Sequence, residues 1–173
     1  MAQLSDDCFA FGGPLMSAAE ALGILKSHLH AVTGTESVKL ALARGRVLAA
    51  PVVATRDVPP HDNAAVDGYA VNFADLKPGE KTVLPVGGRA AAGHPLGRPI
   101  AGGEAIRVFT GAQMPEGADT VLMQEDCRVE AGQAILPPGI KKGANRRFAG
   151  EDVKKGATVL APGRRLRPQE IGL

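Results

Sequence analysis

Between Leu15 and Val32 apolar residues recur every three or four positions: Leu15, Ala19, Leu22, Leu25, Leu29 and Val32. That spacing places one apolar stripe along a helix, a face for a core or an interface. Ser17-Ala18-Ala19-Glu20 marks its start. This is a capping box, in which the serine hydroxyl accepts from the Glu20 amide and the carboxylate accepts from the Ser17 amide. Gly34 supplies the stop. From Glu36 the period shortens to two. Val38, Leu40 and Leu42 alternate with other residues, Arg44-Gly45 makes a turn and Val47-Leu48 resumes, which predicts a hairpin. Pro51 and Val58-Pro59-Pro60 break the pattern. Thereafter short apolar pieces separated by Gly and Pro predict strands at Tyr69–Asn72, Thr82–Val86, Ala105–Phe109, Thr120–Gln124 and Ala134–Leu136. Residues 54–140 thus read as a small β-rich domain. Ala157–Leu160 adds a strand, and Arg167-Pro168-Gln169-Glu170 opens a helix whose body is absent before Leu173, the mark of a truncated chain.

Composition narrows this picture. Gly 22 and Pro 13 make about a fifth of the 173 residues, which suits short strands and many turns. Aromatics are 3% with no Trp, so Ala, Val, Leu and Ile must build the core. Residues 1–13 show no periodicity and read as a disordered end. The net charge of +2 is unevenly spread. Lys141, Lys142, Arg146, Arg147, Lys154, Lys155, Arg164, Arg165 and Arg167 face only Glu151 and Asp152 over residues 141–167. A basic stripe beside an acidic remainder favours an anionic ligand. Apart from Phe148 the stripe lacks interleaved aromatics, which argues against single-stranded nucleic acid. Cys8 and Cys127 form neither a metal spacing nor a disulfide framework. No apolar run approaches a membrane span and no signal peptide is evident, so the expected place is the cytoplasm. His28 and His30 read as surface residues, and neither Gly87-Gly88-Arg89 nor Gly102-Gly103-Glu104 makes a phosphate loop of the Walker type.

Three stretches can carry chemistry. In Asp57–Val71, Pro59-Pro60 stiffens a loop that displays Asp62, Asn63 and Asp67 ahead of a strand. An Asp in such a setting most often caps a turn, and the residues alone leave both roles open. In Ile106–Glu125, a strand runs into Thr110-Gly111-Ala112, where a hydroxyl and a close backbone can meet a ligand or simply form a β-turn. In Gly143–Asp152, Arg146 and Arg147 offer planar donors to phosphate or other oxyanions, with Glu151 and Asp152 beside them. A solvated charge run is the ordinary alternative.

Together these stretches resemble the N-terminal half of the MoeA family of molybdopterin molybdenumtransferases, which includes the E domain of gephyrin. The resemblance rests on Pro59, Asp62, Asn63, Asp67, Gly68, Tyr69 and Ala70, on the run Thr110 to Asp119, and on Arg146 to Asp152, in family order. His61, Ala64 and Val66 depart from the usual Phe, Ser and Met. The resemblance implies an α+β, β-rich architecture: a discontinuous first domain of residues 14–53 and 141–173, helix plus hairpin strands, with residues 54–140 inserted as a β-rich domain. It also implies a dimerisation helix, a cytoplasmic homodimer, and C-terminal catalytic domains that lie beyond Leu173. The implied reaction joins molybdate to adenylylated molybdopterin with release of AMP, with Mg2+ held chiefly by the domains that follow. The family's catalytic positions fall on Asp67, Thr110 and Asp152. Asp62, Asn63, Arg146 and Arg147 stand as substrate-binding residues. The chain alone is expected to be inactive. A dimerisation or scaffold module without catalysis, and a small-anion-binding β-rich module, are the competing readings; nucleic acid and membrane are not expected partners.

Overall fold

The computed structural model describes residues 16–173, which divide after Leu42 into two compact units. The expectation for residues 1–13, with Cys8, lies outside the described residues. The chain is α+β and mostly β, as its pattern predicts.

The first unit holds helix α1 (Ala18–His28) and a single 3-10 turn, Leu40–Leu42. The predicted capping box is present: Glu20 N donates to Ser17 Oγ (3.2 Å) and Ser17 N donates to Glu20 Oε2 (2.8 Å). The helix buries none of its residues, and Leu22, Leu25, Leu29 and Val32 are all exposed.

In the second unit the strands run in chain order as β1 (Val52–Val53), β2 (Asn63–Ala64), β3 (Gly68–Val71), β4 (Thr82–Ala90), β5 (Ala105–Val108), β6 (Thr120–Met123), β7 (Arg128–Glu130), β8 (Gln133–Leu136), β9 (Arg146–Arg147) and β10 (Thr158–Leu160), followed by helix α2 (Pro168–Ile171). Six of them form one sheet in the order β6-β3-β5-β4-β8-β7. Only β4 and β5 run parallel, and residues 91–104 make the crossover that a parallel pair needs. Two small pairs complete the unit, β1 with β10 and β2 with β9.

The hairpin predicted over 38–48 does not form. Leu40–Leu42 coil into the 3-10 turn, whereas Val47 bridges Arg165 and Leu48 N donates to Arg164 O (2.9 Å). Gly45 N likewise donates to Leu166 O (2.7 Å). The alternation was short, and backbone groups far along the chain satisfy this segment's hydrogen bonds.

Strand parity explains what the main sheet buries, because alternate residues face opposite sides. Ala70, Ala90, Ile106, Val108 and Val121 enter one core with Ala112, Met114 and Ala118. Val71, Leu84, Ala105, Leu122, Ala134 and Leu136 enter the other. Tyr69, Arg107 and Arg89 align across β3, β5 and β4 on this second side. There the apolar layer gives way to a polar one. No helix among the described residues is long and apolar enough to cross a membrane.

Candidate functional site

The proline-stiffened loop delivers Asp67 at the foot of β3, where it meets the turn that follows β5. Asp67 Oδ1 accepts from both Thr110 N (2.8 Å) and Thr110 Oγ1 (2.7 Å). Both donors act on one carboxylate oxygen, and no described hydrogen bond engages Oδ2. The two Thr110 hydrogen bonds, backbone first, and then the positive charge of Arg107, hold the Asp67 carboxyl below its ordinary range. The group is therefore an anion at neutral pH, fixed in orientation.

The strands around it allow little play. Gly68 pairs with Val108 on one side and Met123 on the other. Gly111 N donates to Ala64 O (2.9 Å) and Ala64 N to Ala112 O (2.8 Å), so the Thr110–Ala112 turn is stapled to β2. The other edge of β2 pairs with β9, Asn63 opposite Arg147 and Ala64 opposite Arg146.

A second polar group lies along β9. Arg146 donates to Asp62 Oδ2 through Nε (3.0 Å) and through its terminal nitrogen, and Ala149 N donates to Asp62 Oδ1 (2.8 Å). Arg147 donates to Glu151 Oε1 (3.2 Å) and to Asp152 Oδ1 (2.5 Å). Of the two orientations of the Asn63 amide, the one pointing its nitrogen at the carbonyls of His61 (3.2 Å) and Asp62 (3.1 Å) makes hydrogen bonds. The structure thus brings Asp62, Asn63, Arg146, Arg147 and Asp152 together and couples Asp67 to Thr110, with no described hydrogen bond directly joining the side chains of the two groups. Both arginines already carry carboxylates, and Phe148 lies under Arg146 (4.8 Å to the ring centre). Asp119, the end of the second motif, is a tie within the fold: its Oδ1 accepts from Phe73 N (2.8 Å) and Thr120 Oγ1 (3.0 Å).

Burial pushes the Asp62 carboxyl up, but the Ala149 amide and the Arg146 guanidinium outweigh it and hold the group below its ordinary 3.8. A depressed folded value means stability present above the unfolded value and lost as pH falls through the folded one. The stability gap between the wild-type chain and Asp62→Asn should therefore be open near neutrality and narrow only once pH falls below about 4, the unfolded value, and on through the lower folded one. Urea denaturation at several pH values checks this; a gap independent of pH contradicts it.

Motif reading passes over Arg107, although it lies between the buried Ile106 and Val108, and that alternation is the signal that it faces the opposite side. Its guanidinium donates to Gly68 O (3.0 Å), Val108 O (2.8 Å) and Gln124 Oε1, bracing the base of β3 beside Asp67. Cys127 is free, and its thiol is pushed up to about 11 by burial first and Asp126 next, so it carries no thiolate near neutral pH. Among the described residues no three His, Cys, Asp or Glu side chains gather as a metal site.

A family model described as the MoeA N-terminal region (domain I and II) matches residues 16–173. The chain belongs to that family. It is similar to the molybdopterin molybdenumtransferase of Haemophilus influenzae, 39% identical over 142 residues that cover 82% of this chain and 35% of the relative. The protein of the same name from Nostoc sp. is also 39% identical over 142 residues, covering 80% of this chain and 33% of the relative. A crystal structure of the molybdopterin biosynthesis MoeA protein of Pyrococcus horikoshii superposes with a TM-score of 0.79 at 39% identity, over 89% of this chain and 41% of that one. The chain spans about a third of the length of the curated relatives it matches. Within the MoeA family region, all three motifs that carry the resemblance lie in the second unit, and the Asp67–Thr110 couple joins two of them.

Proposed function

We propose that this chain supplies one wall of the cleft in which a molybdopterin molybdenumtransferase joins molybdate to adenylylated molybdopterin and releases AMP. The observation that carries the reading is the Asp67 carboxylate, ionised, oriented by two Thr110 donors and left with one oxygen uncommitted. An anion does not bind molybdate, itself a dianion, by charge attraction. Asp67 Oδ2 acts instead by accepting a proton-bearing group, a water or a protonated oxygen of the substrate, and by fixing its direction. A magnesium ion carried by the substrate's phosphates takes only one or two carboxylates, so this oxygen suits that role without a preformed protein cage. Thr110 is a positioning residue, since its hydroxyl proton already points at Asp67.

Asp152 and Arg147 stand on the β9 side as a charge pair with solvent-facing donors remaining, and Arg146 with Asp62 and Asn63 frames the same side for an anionic substrate. The exposed leucine stripe of α1 fits a homodimer, and the expected site of action is the cytoplasm. The test gives adenylylated molybdopterin, molybdate and magnesium to the full-length protein carrying this chain, and reads AMP release and reconstitution of a molybdenum-free apoenzyme. Both should occur with the full-length protein and neither with the 173-residue chain. Turnover by the chain alone, or none by the full-length protein, overturns the reading.

A further inference from the structure

We infer that Arg89 binds a tetrahedral oxyanion at the rim of the Asp67–Thr110 couple, with Arg107 supplying a second positive charge behind it. The two arginines stand opposite each other on adjacent strands, and both lie over the ring of Phe109, at 5.1 Å and 4.4 Å from its centre. Five other arginines, Arg98, Arg146, Arg147, Arg164 and Arg167, each pair with a carboxylate. These two do not. Arg107 commits its donors to two carbonyls and the Gln124 amide oxygen, and the Asp67 carboxylate acts on its charge only through space. Arg89 makes no hydrogen bond or ion pair among the described residues, and Phe109 alone holds its position.

Two cations sharing one ring repel each other, and a dianion reaching Arg89 reverses the sign of that interaction. The space for it exists. A cavity of about 320 Å³ opens beside Arg89, lined also by Ala91, His94 and Pro95. His94 Nδ1 lies 3.3 Å from Ala92 O, a contact that ties the ring back to its own turn and leaves the floor of the cavity to Arg89. This turn packs on the couple's own loop: a methyl group at Gly111 would lie 3.8 Å from Ala92 Cβ, and Phe109 N donates to Ala90 O (3.3 Å). The lining holds no Phe, Tyr or Trp on which a base could stack. A phosphate group of an organic substrate and free molybdate share the required chemistry.

The assignment of this anion to the reaction rests on the function proposed above; the binding itself does not. The test titrates the 173-residue chain with inorganic phosphate and, separately, with molybdate at constant ionic strength, following Arg89 Nε–H and the Thr110 and Gly111 amides by NMR. At least one anion should give a saturable shift at all three. Arg89→Ala should weaken binding by about tenfold or more, as loss of a charge-assisted contact does, and Arg89→Lys by less. Arg128→Ala, which removes an exposed arginine from the edge strand β7, should leave affinity unchanged. Saturation by phosphate alone assigns the organic substrate's phosphate, and saturation by molybdate alone assigns the metal oxyanion. Absence of a saturable shift with both, or an equal loss in Arg128→Ala, overturns the proposal. A chain that binds at Arg89 while the full-length protein fails to insert molybdenum sinks the reaction and leaves the anion site standing.

Discussion

Asp67→Asn in the full-length protein should lower molybdenum insertion by about a hundredfold or more, the scale on which removing one preorganised polar group acts, while leaving the fold intact. Asparagine retains the Oδ1 acceptor, so Thr110 N and Oγ1 keep their partner at the same place. What disappears is the charge and the acceptor character of the second oxygen. Thr110 separates orientation from charge. Thr110→Ser keeps both donors and should stay close to wild type. Thr110→Ala keeps only the backbone donor and should lose about tenfold. AMP release under saturating substrate, with thermal melting of each variant, checks the series. A change smaller than tenfold in Asp67→Asn contradicts the role given to this carboxylate.

Gly68→Ala should be the most damaging single substitution in the β-rich unit. A methyl group there would lie 1.9 Å from the carbonyl oxygen of Leu122, 2.9 Å from its carbon and 3.1 Å from Val121 Cγ1. Backbone blocks it, and backbone cannot rotate aside as a side chain can. Nor can β3 retreat, since it is hydrogen-bonded to β5 on one edge and β6 on the other. Opening these strands should cost about 3 kcal/mol or more, at or beyond the upper end for overpacking. In urea that moves the midpoint by at least about 1 M. The comparison is Gly102→Ala, where the added methyl meets nothing within 4 Å. It should change stability by less than about 0.5 kcal/mol, as ordinary surface substitutions do. Equal midpoints for the two variants would mean that β3 and β6 do not approach as described.

How much of this was legible in the chain depends on how local the cause is. The start of α1 is legible because Ser17 and Glu20 satisfy each other's backbone within four residues. The strands β3, β5, β6 and β8 fall within a residue or so of the alternating pieces, since each presents apolar side chains to a core. Strand β7 gives no signal, because all three of its residues are exposed. The 38–48 hairpin fails for the opposite reason: its pattern is local, but its hydrogen-bond partners lie near residue 165. Strands β2 and β9, two residues each, carry no period at all and owe their pairing to Asp62 and Arg146, side chains 84 residues apart.

The site divides the same way. Spacing and turn chemistry single out Asp67 and Thr110 separately, but the bond between them spans 43 residues and only the sheet register creates it. Arg146 and Arg147 read as free phosphate donors in sequence; the carboxylates that occupy them come from turns whose geometry is not written in the motif. Arg89 lies outside the three stretches and Arg107 ahead of the Thr110–Asp119 run in the second, and their convergence on Phe109 follows from strand parity plus the parallel pairing of β4 with β5.

The unengaged oxygen of residue 67 must face the substrate when it arrives. A crystal structure of the full-length protein with adenylylated molybdopterin and molybdate settles this directly. The expected result is electron density for the ligand within hydrogen-bonding reach of Asp67 Oδ2, directly or through one water or cation, with Thr110 still donating to Oδ1. Ligand density confined to other surfaces, with that oxygen facing bulk solvent, would contradict it.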